Sequence, residues 1–179
     1  MKIGIGVQNE SNSELSGKKA AEAAIRNGQT DRPDLVLGFC GGQLDAALFM
    51  KGIRAAVGDT PPIIGGSAVG IISNSFLSYT DYPAGVAVIQ SDSLHCWVSA
   101  VGDLDKDEKA AGIALARQIP HHAKEKLLLL FYDSIKQPAT ETSPPILNAS
   151  PPLTEGLESE LLRTLPIIGA GLIGDYQFR

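Results

Sequence analysis

The stretch "PPIIGGSAVG" (residues 61–70) decides how this chain is read, because "LPIIGAGLIG" (165–174) nearly repeats it. Each has a proline, two isoleucines and a glycine, followed by small residues and a second glycine. A short apolar run that stops at glycine reads as a buried strand ending in a tight loop.

The repeat extends outward from these loops. Upstream of the first lies "PDLVLGFC" (33–40), and upstream of the second lies "EKLLLLFYD" (125–133). Both are nearly continuous apolar runs of the kind found in strands buried on two faces. Further upstream, the alanine-rich "SGKKAAEAAIRNG" (16–28) matches "DEKAAGIALARQI" (107–119). Aligned pairs drift from 90 apart (Lys19 and Lys109) to 92 (Phe39 and Phe131) and 104 (Pro61 and Leu165). The growth falls mainly in the proline-rich "PATETSPPILNASPP" (138–152), and loops take insertions at little cost. Three matches in one order predict an internal duplication, with units of roughly 1–93 and 94–179 in a single domain spanning 1–179.

Strand–helix–strand runs imply an α/β fold, a β-sheet with flanking helices, and a hairpin near 85–101 would add antiparallel strands and make the sheet a mixed β-sheet. "KIGIGV" (2–7) reads as a first strand, and Ser13 or Ser16 as the cap of the helix after it, which Asn27-Gly28 would close. In "QLDAALFMKGIRAAVG" (43–58), Leu44, Leu48 and Ile53 are the expected buried face. "AGVAVIQSD" (84–92) and "LHCWVSAVGD" (94–103) read as a hairpin turning at Ser91, Asp92 and Ser93. Two strands follow the glycine loop in the first copy, whereas the second copy stops soon after its own loop. A shortened second copy would have an exposed sheet edge or a missing companion domain.

Composition narrows the function. Apolar residues make up 44 % and charged residues 20 % of 179, with a net charge of -5. The 15 Lys and Arg are dispersed and form no stripe that could track a phosphate backbone, so nucleic acid is not an expected partner. No run approaches the length of a membrane span, and the N-terminus turns polar too early for a signal peptide. The 2 cysteines supply neither a disulfide framework nor a zinc set. The cytoplasm is the expected compartment, and nothing calls for a cofactor or a metal. The oligomeric state is left open.

Candidate ligand residues lie at the carboxyl ends of the strands, where open α/β sheets hold ligands. In the first copy these are Cys40, Gly65, Gly66 and Ser67, and in the second Tyr132, Asp133, Gly169, Gly171 and Asp175. Amides of 66–68 could form a small anion nest, and the aspartates could receive an ammonium. Glycine relieving crowding where two strands turn is the competing explanation. Cys40 precedes Gly41-Gly42 and a helix, a setting that can favour a thiolate, but no histidine is placed as its base. A cysteine in such a strand also serves as a small hydrophobe. Asp45, Asp81, Tyr79 and Tyr82 are secondary candidates. His95 and Trp97 would share one strand face, and His121-His122 end a helix. "GGSAVG" has neither dinucleotide nor P-loop spacing.

Taken together, the alanine-rich first helix, "PDLVLGFC", the spacing to "PPIIGGSAVGIIS", and the return of "LLLLFYD" and "PIIGAGLIGD" resemble the N-terminal half of the FIST domain, found in F-box and intracellular signal transduction proteins. The resemblance covers almost the whole chain. The family's glycine-cysteine-serine-threonine-x-glycine-glutamate segment is similar to "GGSAVGI" here. Gly65, Ser67 and Gly70 keep their places, while Gly66, Ala68 and Ile71 stand where cysteine, threonine and glutamate are common. The resemblance implies a sensory domain that binds small ligands, amino acids or derivatives, and works beside a signalling protein or companion domain. The ligand would then meet the loops after "LGFC", "PIIGG", "LLFYD" and "PIIGAG". An enzyme using Cys40 or a strand-end aspartate, and a scaffold without a ligand, are the alternative readings.

Overall fold

The computed structural model describes residues 1–120, 125–161 and 165–173. They form two compact units that divide after Val98.

In the first unit, β1 (Lys2–Asn9) runs into α1 (Ser13–Gly28), then β2 (Leu35–Cys40), α2 (Ala46–Val57) and β3 (Ile63–Ser67). A small hairpin, β4 (Ile71–Ser73) and β5 (Phe76–Ser78), precedes β6 (Pro83–Gln90). The main sheet has the order β1-β6-β2-β3. β6 is antiparallel to both β1 and β2, whereas β2 and β3 are parallel, so the sheet is mixed.

Strand alternation sends Val36 and Cys40 of β2 and Ala84, Val86 and Val88 of β6 into a core shared with Phe49 and Ile53 of α2 and three alanines of α1. Burying a side chain the size of Ile53 is worth about 1.5–3 kcal/mol. The alanines 20, 21 and 24 let α1 lie close to the sheet. At Gly4 and Gly6 a Cβ would strike the carbonyls of Ala24 and Ala20. Gly28 rests on Gly4, which is why it belongs to the helix and is not the expected cap. The left-handed C-cap is Gln29.

The N-caps also differ from expectation. Asn12 caps α1, accepting from the Leu15 amide at 2.9 Å, while Ser13 accepts from the Asp45 amide and Ser16 is buried. Asp45 caps α2. The helix starts after Leu44 and buries Phe49, Gly52 and Ile53, which leaves Leu48 exposed.

In the second unit come α3 (Glu108–Ala116), β7 (Leu128–Asp133), β8 (Ile135–Gln137), β9 (Ile146–Leu147), α4 (Ser150–Glu160) and β10 (Ile167–Leu172). β7 and β10 are parallel, and β8 and β9 antiparallel. Leu130, Leu153, Leu157, Ala111 and Ala116 form its core. No side chain caps α4. Pro151 and Pro152 lack amide protons there, which removes two of the donors a cap would serve.

The strand expected over 94–103 does not form. The turn does: the Leu94 amide donates to the Ser91 carbonyl at 3.1 Å. In the first unit, the strand preceding the alanine-rich helix pairs only with β6, and the second unit has no strand in that role among the described residues. A strand exists through its neighbours' hydrogen bonds, so local apolar pattern cannot make one alone.

Internal details recur between units. Asn12 and Asp107 cap α1 and α3, 95 apart. Ser13 and Glu108, also 95 apart, accept from the amides of Asp45 and Ala149. A Cβ on Gly17 would meet the Phe49 carbonyl and one on Gly52 the Glu14 carbonyl, and Gly112 and Gly156 stand likewise to Leu153 and Lys109. These matching details are spaced 95 residues apart in the helices, whereas the alanine match in the sequence is spaced 90.

Candidate glycine-loop sites

In the first unit the parallel pair β2–β3 ends at Cys40 and Ser67, which are register partners. Gly65 faces Gly38, whose carbonyl occupies the space of a Cβ, so glycine is required there by close approach. The Ala68 amide donates to the Cys40 carbonyl at 2.8 Å. The Val36 amide donates to the Pro62 carbonyl, and the alternation of a parallel ladder then assigns the Gly66 amide to β2 as well. Of the expected nest, only the Ser67 amide turns to the open edge of β3. Past β3, Gly70 lies under the Tyr79 ring, where a Cβ would collide. Tyr79 and Tyr82 are exposed, and Asp81 sits between them with a φ of 63°.

Cys40 is 1 % exposed and belongs to the core with Val36 and Ile53. Burial pushes its thiol up to about 11, and the Asp45 carboxylate adds to the rise. The thiolate-favouring setting expected from the following helix is overruled. The helix begins at Ala46, and its cap places a negative charge near the sulfur. The Cys96 thiol is raised for similar reasons, burial first and Asp34 second.

In the second unit the parallel pair β7–β10 ends at Tyr132 and Asp133 beside Gly171 and Leu172. The Gly169 site repeats the Gly65 site, since the Leu130 carbonyl fills the space of its Cβ. Gly171 lies against the Ser134 hydroxyl and the Tyr132 phenol. Asp133 is exposed. One carboxylate oxygen accepts from the Ile135 amide at 2.8 Å, and its backbone carbonyl accepts from Asn148 Nδ2 at 2.8 Å. The Asn148 amide in turn donates to the Ser134 carbonyl at 3.0 Å. In the same unit, Lys136 and Glu108 form a partly buried ion pair of 2.9 Å. The Lys136 hydrogen bond holds the Glu108 carboxyl below its usual range. The sequence reading missed Asn148, Ser134 and this pair. The Asn-Ala-Ser before Pro151 was a visible helix-start signal, but its contact with Asp133 depends on the loop fold.

Asp175, His121 and His122 lie outside the described residues. Among the described residues, no group of three His, Cys, Asp or Glu side chains is arranged for a metal, and no helix is long and apolar enough to cross a membrane.

Strands ending in glycine-bearing loops are the signature the sequence pointed to, and the family model for the FIST N domain matches residues 34–179. The chain belongs to the FIST family. The match takes in β2 and everything after it, so both glycine loops of the FIST domain fall inside it. None of the curated proteins matches the chain.

Proposed function

We propose that this FIST chain is an intracellular sensory domain for a small polar ligand, an amino acid or derivative, which it binds without catalysis. The output would pass to a downstream signalling protein or a companion domain. The observation that carries this reading is the recurrence, in a FIST chain, of a parallel strand pair ending in a glycine loop with polar groups beside it. In the second unit Asp133 supplies a solvent-facing carboxylate for an ammonium, with the Tyr132 hydroxyl and Gly171 adjoining. The first unit, taken by itself as a separate site, offers a hydroxyl and an edge amide at Ser67 for a carboxylate, with Gly65 and Gly66 allowing close approach. Cys40 contributes backbone, and Gly169 strand contact. A catalytic role for Cys40 has little support, because a buried thiol near 11 carries almost no thiolate at neutral pH.

The reading includes the duplication. Two units, roughly 1–93 and 94–179, would descend from one plan within a single FIST N-terminal-like domain. The paired caps, helix-contact glycines and strand registers described above support it.

Thermal-shift measurement with the free amino acids tests the ligand. A ligand at 100 times its Kd stabilises by about 2.7 kcal/mol. Asp133→Asn and Ser67→Ala should reduce the shift while leaving the unliganded Tm in place. No shift with any amino acid, together with no co-purifying small molecule by native mass spectrometry, would overturn the proposal.

A further inference from the structure

In the first unit β2 has two strand neighbours: β3, parallel, and β6, antiparallel. In the second unit β7 and β10 reproduce the β2–β3 pair in the same register. Gly38 faces Gly65 as Leu130, 92 residues on, faces Gly169, 104 residues on. The ladder bonds agree. The Val36 amide donates to the Pro62 carbonyl at 3.0 Å, and the Leu128 amide to the Pro166 carbonyl at 3.0 Å. The opposite edge of β7, where the Leu129 amide points, is therefore the counterpart of the β2 edge that β6 fills. Among the described residues β7 pairs with β10 alone.

Burial makes the same point independently. Leu35, in register with Ile89 of β6, is 7 % exposed, while its counterpart Leu127 is 51 % exposed. Ala20 of α1 is fully buried against the sheet, while its counterpart Leu115 on α3 is only half-buried. In the first unit Leu35 is paired in register with β6, and the Ala20 backbone lies against Gly6 of its neighbour β1. "LLLL" (127–130) also carries none of the lysines or prolines that protect a permanently solvent-facing edge.

We infer that this edge of β7 is a receptor for one antiparallel strand with the chemistry of β6, presented by a companion domain or polypeptide outside residues 1–179. The strand is apolar, with alternate residues no larger than valine, as in Ala84, Val86 and Val88, because these face a helix layer that is already in place. Main-chain hydrogen bonds give the binding and the small side chains give the selectivity. The inference rests on the duplication reading above.

The test is amide hydrogen exchange on the full chain. The probe is a synthetic peptide of residues 82–91 flanked by lysines, at about 1 mM, a range that reveals weak strand addition. Exchange at Leu129 should slow by about tenfold with the peptide. It should not slow with a scrambled peptide or with one N-methylated on the edge facing β7. Three results overturn the inference: no slowing at Leu129, equal slowing with the scrambled peptide, or protection confined to β1 or β3. Leu129 already protected in a self-associated free chain also overturns it, since a second copy would then be the occupant. The amides of Leu128 and Leu130, turned toward β10, are read in the same experiment. If they exchange freely without peptide, the duplication reading fails; if they are protected and Leu129 stays unchanged, only the docking inference fails.

Discussion

Gly17 of α1 lies directly on the backbone of Phe49 in α2: a Cβ at Gly17 would meet the Phe49 carbonyl oxygen. Gly52 returns the contact against Glu14, so the two helices touch main chain to main chain through a reciprocal glycine pair. Gly112 and Gly156 do the same for α3 and α4. Close approach of this kind is sensitive to one methyl group, because backbone cannot move aside as a side-chain tip can.

Gly17→Ala and Gly156→Ala should each destabilise the chain by about 1–3 kcal/mol. This happens although alanine favours an isolated helix by about 1 kcal/mol. Gly102→Ala is the control, since nothing lies within 4 Å of its added Cβ; it should change stability by less than about 0.5 kcal/mol. Urea unfolding midpoints measure all three.

Removing a cap tests the helix starts. Asn12→Ala and Asp107→Ala each lose the side-chain acceptor for an N-terminal amide, of Leu15 and Ala110 respectively. Each should cost about 1 kcal/mol in the same unfolding assay. Ser16→Ala, at the residue the sequence offered as a cap, loses no hydrogen bond to that amide and should cost less.

Cys40 should resist alkylation. With its thiol near 11, mass-spectrometric labelling by iodoacetamide near neutral pH should modify Cys96 well before Cys40 in the folded chain, and both equally in denaturant. The folded pKa lies above the unfolded value of about 8.5. The stability gained by keeping the thiol neutral is therefore complete below the unfolded value and is lost as pH rises through the folded one. Cys40→Ser should abolish that alkaline loss while costing stability at all pH values, because a hydroxyl replaces sulfur in the core.

Glu108 has the opposite sign. Its carboxyl is held below 4.5, first by the hydrogen bond from Lys136. The pair's contribution is present above the unfolded pKa and is lost as pH falls through the lowered folded value. A Tm profile taken downward from about pH 6 should fall less steeply in Glu108→Gln than in the unaltered chain. An identical slope in both would show that the pair does not couple to folding.

Much of the β framework was legible in the sequence. β2, β3, β7 and β10 are apolar runs closed by glycine or by a polar residue, but the burial on both faces expected of such runs is approached only in β2, while β7 is half-buried and β10 mostly exposed. The mixed sheet was expected from the hairpin read near 85–101, of which only the first arm, β6, forms, antiparallel to β1 and β2. The candidate site was legible only as positions along the chain. Gly65 and Gly169 mark the strand ends, but the Ala68 amide is spent on Cys40 and the Asn148 amide group on Asp133. Those bonds join segments distant in sequence, and local pattern carries no record of them.

The sequence by itself determined where the chain is apolar and where it must turn, because each of these is set by a residue's own side chain or by its lack of one. Tertiary structure decided which cap closes each helix, that Cys40 is core and poorly ionised, and that residues 94–103 form no strand. Each of those outcomes depends on a neighbour the local chain does not contain. Asn12 wins as the cap because Ser13 is engaged by Asp45, and the thiol is raised by packing and by a carboxylate from the next helix. An apolar segment becomes a strand only where another strand accepts its hydrogen bonds.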